Sequence, residues 1–228
     1  MANQLDLEEQ EQLDQLKHYW SQYGNTITWA LILVLGVFAS WNFYQYWQRS
    51  QATQAAALYD EVERVVKSGD GAKIDRVFAD MKDRFASTTY AQQAGLLVAK
   101  QYYGAGNVEA AKKALSWVAE GSSDPAYQAI AKLRLASVLV ESKAFDEALK
   151  QLGEPFPASF DALVADRKGD ILLLQGKKKE AIAEYEKAFD GFDQQTQYRR
   201  LVEIKMNSLG VEPKASGAVA AQTTEVKK

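Results

Sequence analysis

Apolar positions recur along most of the chain at the three-to-four-residue spacing of helix faces, but between Tyr19 and Gln48 charged residues vanish altogether. The most apolar part, Ile27–Trp47, makes about 30 Å of helix at about 1.5 Å rise per residue, which matches the hydrocarbon thickness of a bilayer. Trp29 lies near one end, and Trp41, Tyr44, Tyr46 and Trp47 crowd the other, where amphipathic rings sit among headgroups. A cleaved signal peptide needs a basic start and a small-x-small site. This chain starts with the acidic MANQLDLEEQEQLDQLK and follows the apolar run with SWNFYQYWQRS, so an uncleaved single span is expected at 25–48. Before it, residues 1–24 are too few for a domain, although Leu7, Leu13, Leu16 and Tyr19 fall roughly on one side of a short helix.

After Gln48 the pattern stays helical, rich in Ala, Leu, Glu, Lys and Gln and without strand alternation. Helices are expected over 52–67, 73–85, 90–104, 107–119, 126–141, 145–152, 161–175, 178–190 and 194–208. The prolines at 125, 155, 157 and 213 all fall where a helix begins or ends. Asp124-Pro125 reads as a cap followed by a first-turn proline, and Thr89-x-x-Gln92 as a capping box. The fold expected is all-α: one N-terminal transmembrane helix, a helical domain over 49–210, and a flexible tail over 211–228.

Within the domain, AGLLVAKQYYGAGNVEAAKKAL, ASVLVESKAFDEALKQL and KGDILLLQGKKKEAIAEYEKAF align with one another. Ala99, Ala136 and Gly169 take one place in each first helix, and Ala111, Ala148 and Ala181 one place in each second helix. Two helices of a hairpin approach closely only where no bulky side chain intervenes, which explains small residues at both places. The second-helix alanines are 37 and 33 residues apart, and the pattern resembles the tetratricopeptide repeat, whose usual period is about 34 residues. The third unit fits best, through Gly169, Leu172, Gly176, Ala181, Tyr185 and Ala188; the first has Val118 where the closing small residue belongs. In the middle unit Pro155 arrives at that place, so a truncated second helix and an irregular loop at GEPFPASF are expected. Residues 52–85 look like a degenerate further hairpin turning near Ser68-Gly69-Asp70-Gly71, and 194–208 like a solitary capping helix.

Composition narrows the chemistry. Lys plus Arg number 27 against 30 Asp plus Glu, giving a formal net charge of -3 with no basic block, which argues against nucleic acid as a partner. There are no cysteines, so disulfides, thiol nucleophiles, thiolate metal sites and a lipidated cysteine anchor are excluded. The single histidine, His18, lies on the far side of the span from the helical domain, which rules out a histidine triad or multi-histidine zinc site there. The i,i+4 pairs Asp166/Asp170 and Glu180/Glu184 are ordinary for so acidic a chain, and Lys177–Lys179 and Gly69/Gly71 read as turns. No catalytic group, metal or cofactor is expected. Stacked helical hairpins instead leave a concave face suited to an extended peptide or a partner helix.

Taken together, the LDLEEQEQLDQLKHYW prelude, GNTITWALILVLGVFASWNFYQYWQ, the AALYDEV segment and the repeat holding DILLLQGKKKEAIAEY resemble the YfgM family of ancillary Sec translocon subunits of the bacterial inner membrane. That resemblance implies a cytoplasmic N-terminus and a periplasmic repeat domain. It also implies partnership with the SecYEG channel and with the periplasmic chaperone PpiD, help in folding exported polypeptides, and a link to an envelope-stress response regulator. The Lys/Arg count points the other way, since Lys17 precedes the span while Arg49, Arg64 and Lys67 follow it. A scaffold or assembly factor for another envelope complex is the alternative role. Carried over from the repeat family, the groove positions are Gln93, Leu96, Lys100 and Tyr103, then Leu133, Ser137 and Glu141, then Asp166, Asp170 and Leu174. Lys100, Tyr103, Glu141, Asp166 and Asp170 stand out among them, because such groups are costly to bury without a partner.

Overall fold

The computed structural model describes residues 7–213, with side chains for all of them except 7–11 and Leu16. The expected tail beyond 213, and the Leu7 and Leu16 positions of the short N-terminal stripe, lie outside these; Leu13 and Tyr19 of that stripe are exposed. Among the described residues there is no strand. The chain divides into two compact units, 1–54 and 55–228.

Helix α1 runs over Leu7–Ser68. The expected separate helix at 52–67 does not exist as such: it continues the apolar helix without interruption. The cause is visible in the chain, which has no glycine or proline between Gly36 and Gly69. In the first unit, the apolar stretch has a mean hydropathy of 1.7 with none of its window buried, long and apolar enough to cross a membrane. Three of its polar side chains turn back on their own helix. Thr28 Oγ1 donates to Gly24 O (2.7 Å), Ser40 Oγ to Gly36 O (2.8 Å) and Asn42 Nδ2 to Phe38 O (2.9 Å), which removes donors that lipid could not satisfy.

The second unit begins with the end of α1 and continues through α2 (Gly71–Phe85), α3 (Thr89–Gly104), α4 (Val108–Gly121), α5 (Pro125–Glu141), α6 (Phe145–Gly153), α7 (Asp161–Leu174), α8 (Lys178–Gly191) and α9 (Gln197–Ser208). These bounds lie within three residues of those read from the sequence. Local chemistry explains most of them. Gly69 takes φ +71°, Asp70 caps α2 by accepting from Lys73 N, and Asp124 caps α5 by accepting from Ala126 N. The α3 cap is one residue earlier than the sequence suggested: Thr88 accepts from Ala91 N, and Gln92 instead donates to Ala86 O at 2.7 Å.

Small residues do let the hairpins close. Ala99, Ala111, Ala136, Ala148 and Ala181 are all buried. Volume is traded between facing helices as well. A Cβ on Gly95 of α3 would lie 2.4 Å from Val118 Cγ2 of α4, so the larger Val118 is accommodated because its neighbour has no side chain. On α7, a Cβ on Gly169 would lie 2.7 Å from the ring of Tyr185. The middle hairpin follows a third arrangement. Lys132 of α5 donates to Pro155 O (3.4 Å), lies 3.8 Å from Glu154 and sits over the Phe156 ring (5.6 Å), pinning the loop that replaces the last turn of α6. One apolar core extends from Ala55 to Ile171, and a second joins α7, α8 and α9 through Tyr185, Phe189, Val202 and Met206.

Candidate interaction groove

The first helices of the three repeats, α3, α5 and α7, carry two neighbouring clefts. The first, about 240 Å³, takes Leu96, Ala99, Lys100 and Tyr103 from α3, Leu115 from α4, and Arg134, Ser137, Val138 and Glu141 from α5. The second, about 280 Å³, takes Ala136, Ser137, Val140 and Glu141 from α5 and Arg167, Asp170, Ile171 and Leu174 from α7. Ser137 and Glu141 line both, so the clefts are successive stretches of one furrow. Helical geometry accounts for the lining, because residues three, four and seven apart share a face.

Across the first cleft the Tyr103 hydroxyl donates to Glu141 Oε2, linking α3 to α5. That hydrogen bond, more than burial, holds the phenol above its ordinary pKa. Lys100 and Arg134 are exposed, and among the described residues neither has an ion-pair or side-chain hydrogen-bond partner. Leu96, Ala99, Leu115 and Val138 give the cleft an apolar floor.

Three expected groove residues have other duties. Gln93 donates to the Tyr127 hydroxyl at 2.9 Å, which fixes α3 against the start of α5, and lines neither cleft. Asp166 is not on the groove surface: it is fully buried, accepting from Lys205 Nζ (2.7 Å) and the Tyr198 hydroxyl (2.9 Å). Asp170 reaches the second cleft, but it also accepts from Lys205 Nζ (2.7 Å) and the Tyr185 hydroxyl (2.8 Å), with Arg167 at 3.7 Å. The acidic pair of the third repeat therefore already has a cation, supplied by α9 of the same chain. Burial and then the Asp166 charge push the Tyr198 phenol up to about 12, and burial with the Asp170 hydrogen bond pushes Tyr185 higher still.

Arg134, Arg167 and Lys205 are the residues that the sequence reading missed. The first two carried a readable signal, since Arg134, Ser137 and Glu141, like Arg167, Asp170 and Leu174, are spaced i, i+3, i+7. Lys205 carried none without knowledge of where α9 docks. Among the described residues no three His, Asp or Glu side chains are grouped to hold a metal ion.

Over 204 residues the chain is 32% identical to the "Ancillary SecYEG translocon subunit" of Neisseria gonorrhoeae, a match covering 89% of this chain and 98% of that relative. It belongs to the ancillary SecYEG translocon subunit family. Relatives carrying the same name in Haemophilus influenzae and Escherichia coli are 31% and 28% identical, each over 89% of this chain and 98% and 97% of their own. The profile of the tetratricopeptide repeat-like domain matches residues 17–211, so the apolar helix and the repeats are matched as one unit. No solved structure matches the chain significantly.

Proposed function

We propose that this chain is a noncatalytic, single-pass adaptor of the bacterial inner membrane that associates with a SecYEG-type translocon. Residues 1–24 face the cytoplasm, 25–48 cross the bilayer, and the repeats over 49–210 work in the periplasm. There they contact a PpiD-like chaperone and exported polypeptides. The observation that carries this reading is the match over nearly the whole length, apolar helix included, to proteins named ancillary SecYEG translocon subunits. The groove fits the role, because its clefts join an apolar floor to exposed charged rims, which suits an extended peptide. Anchoring raises the concentration of that groove near emerging chains without requiring tight binding.

The test is affinity purification of the tagged full chain from membranes, comparing the parent with Ser137→Trp. Ser137 is exposed and lines both clefts, so an indole there obstructs them without touching the core. Translocon recovered with the parent, and chaperone and exported chains recovered with the parent but reduced at least severalfold with the variant, is the expected result. Failure of the parent to recover translocon would overturn the assignment, and equal chaperone and client recovery by both would remove the groove from it.

A further inference from the structure

The two clefts differ in what remains unsatisfied. In the second, Asp170 is held by Lys205 and Tyr185 with Arg167 nearby, and buried Asp166 behind it is held by Lys205 and Tyr198. In the first, Glu141 accepts from Tyr103, while the cations Lys100 and Arg134 stand exposed and unpaired among the described residues, flanking an apolar floor. The groove's acids thus already accept hydrogen bonds within the chain, and in the first cleft Lys100 and Arg134 outnumber the Glu141 carboxylate, which leaves a net positive charge.

Building on the groove reading above, we propose that the α3–α5 cleft selects extended peptide segments in which an apolar side chain is flanked by carboxylates. The apolar side chain enters the floor made by Leu96, Ala99, Leu115 and Val138. An extended chain presents alternate side chains to opposite sides, so neighbouring carboxylates reach Lys100 on α3 and Arg134 on α5. A lysine-rich segment of equal hydrophobicity meets those two cations with like charge and binds less well.

The experiment uses the full chain in lipid nanodiscs, with empty nanodiscs as the blank, and three fluorescein-labelled ten-residue peptides alternating Leu-Asp, Leu-Lys and Ser-Asp. Fluorescence anisotropy should show the Leu-Asp peptide binding tightest, weakening as salt rises. Lys100→Gln with Arg134→Gln should weaken that peptide by roughly 3- to 30-fold, as expected for two exposed charge pairs, and bring it close to Leu-Lys. Equal binding of Leu-Asp and Leu-Lys, no loss in the double variant, or no binding of any peptide overturns the proposal. The outcome separates from that of the broader reading. Chaperone and client recovery that is sensitive to Ser137→Trp, without any charge preference, leaves the groove adaptor standing and removes only this specificity. Charge preference without translocon recovery does the reverse.

Discussion

Replacing Lys205 by Met should undock α9 while leaving the rest of the repeats folded. In the parent, one ammonium bridges Asp166 and Asp170 at 2.7 Å each, and Asp166 has no solvent access. Removing one partner of a buried ion pair costs about 3–5 kcal/mol, because the remaining charge keeps its desolvation penalty. Here the cost falls around and somewhat below the lower end of that range. Lys205 retains 24% exposure of its side chain, and Tyr198 still donates to Asp166, so about 2–4 kcal/mol is expected. As α9 is the last described helix and opens locally, that loss reads as roughly 30- to 1,000-fold faster amide exchange across Gln197–Ser208. Hydrogen exchange with mass spectrometry on the full chain in detergent measures it, with peptides from α3 and α4 as unchanged references. A companion variant adds Asp166→Asn to Lys205→Met; with no charge left buried, it should exchange more slowly than Lys205→Met alone. Acceleration below threefold in Lys205→Met would mean that the α8–α9 apolar contacts hold the helix unaided, and the electrostatic account would be refuted.

Three further outcomes follow from the geometry. Gly95→Ala drives a methyl into Val118 and should lower stability by about 1–3 kcal/mol in urea unfolding followed by circular dichroism, with Val118→Ala restoring much of it; no loss in Gly95→Ala would refute the close-packing argument. At alkaline pH the raised phenols matter: Tyr198 stands at about 12 against an ordinary value near 10, so the folded state holds the proton longer than the unfolded one. That contribution is complete below pH 10 and is lost as pH climbs toward 12, so melting temperatures should fall over this window, and less steeply in Tyr198→Phe. Lys132→Ala frees the GEPFPASF loop from Glu154, Pro155 and Phe156, so limited proteolysis should cut there sooner while overall stability shifts by less than about 1 kcal/mol.

The helices of the second unit were legible because glycine, proline and capping residues punctuate them at nearly every turn, as at Gly69, Asp124-Pro125 and Pro155. The same reasoning fails for the expected helix at 52–67, because a change from apolar to polar composition does not end a helix where no breaker stands. Lys100, Tyr103, Ser137 and Glu141, taken over from the repeat family's pattern, do come together along one cleft, because residues three, four and seven apart share a helix face. Asp166 occupies an equivalent place, yet its exposure depends on Lys205, which is 39 residues away in the chain. No local pattern reports which helix will cover a face, so a buried acid and an open one look alike until the chain has folded back.

The volume trades between facing helices also bear on how repeats find their proper mates during folding. Exchange of similar hairpins is a characteristic misfolding route of repeat proteins. Here α4 presents Val118 to a helix with Gly95, whereas α7 offers Ala165 at the corresponding place; α8 presents Tyr185 to Gly169, whereas α3 offers Ala99. Swapped partners would meet an extra methyl in both of these contacts, and Ala188 set against Gly95 would leave a hole, so α4 and α8 are each keyed to their own first helix. Grafting one repeat into the place of another would require moving both halves of each key together.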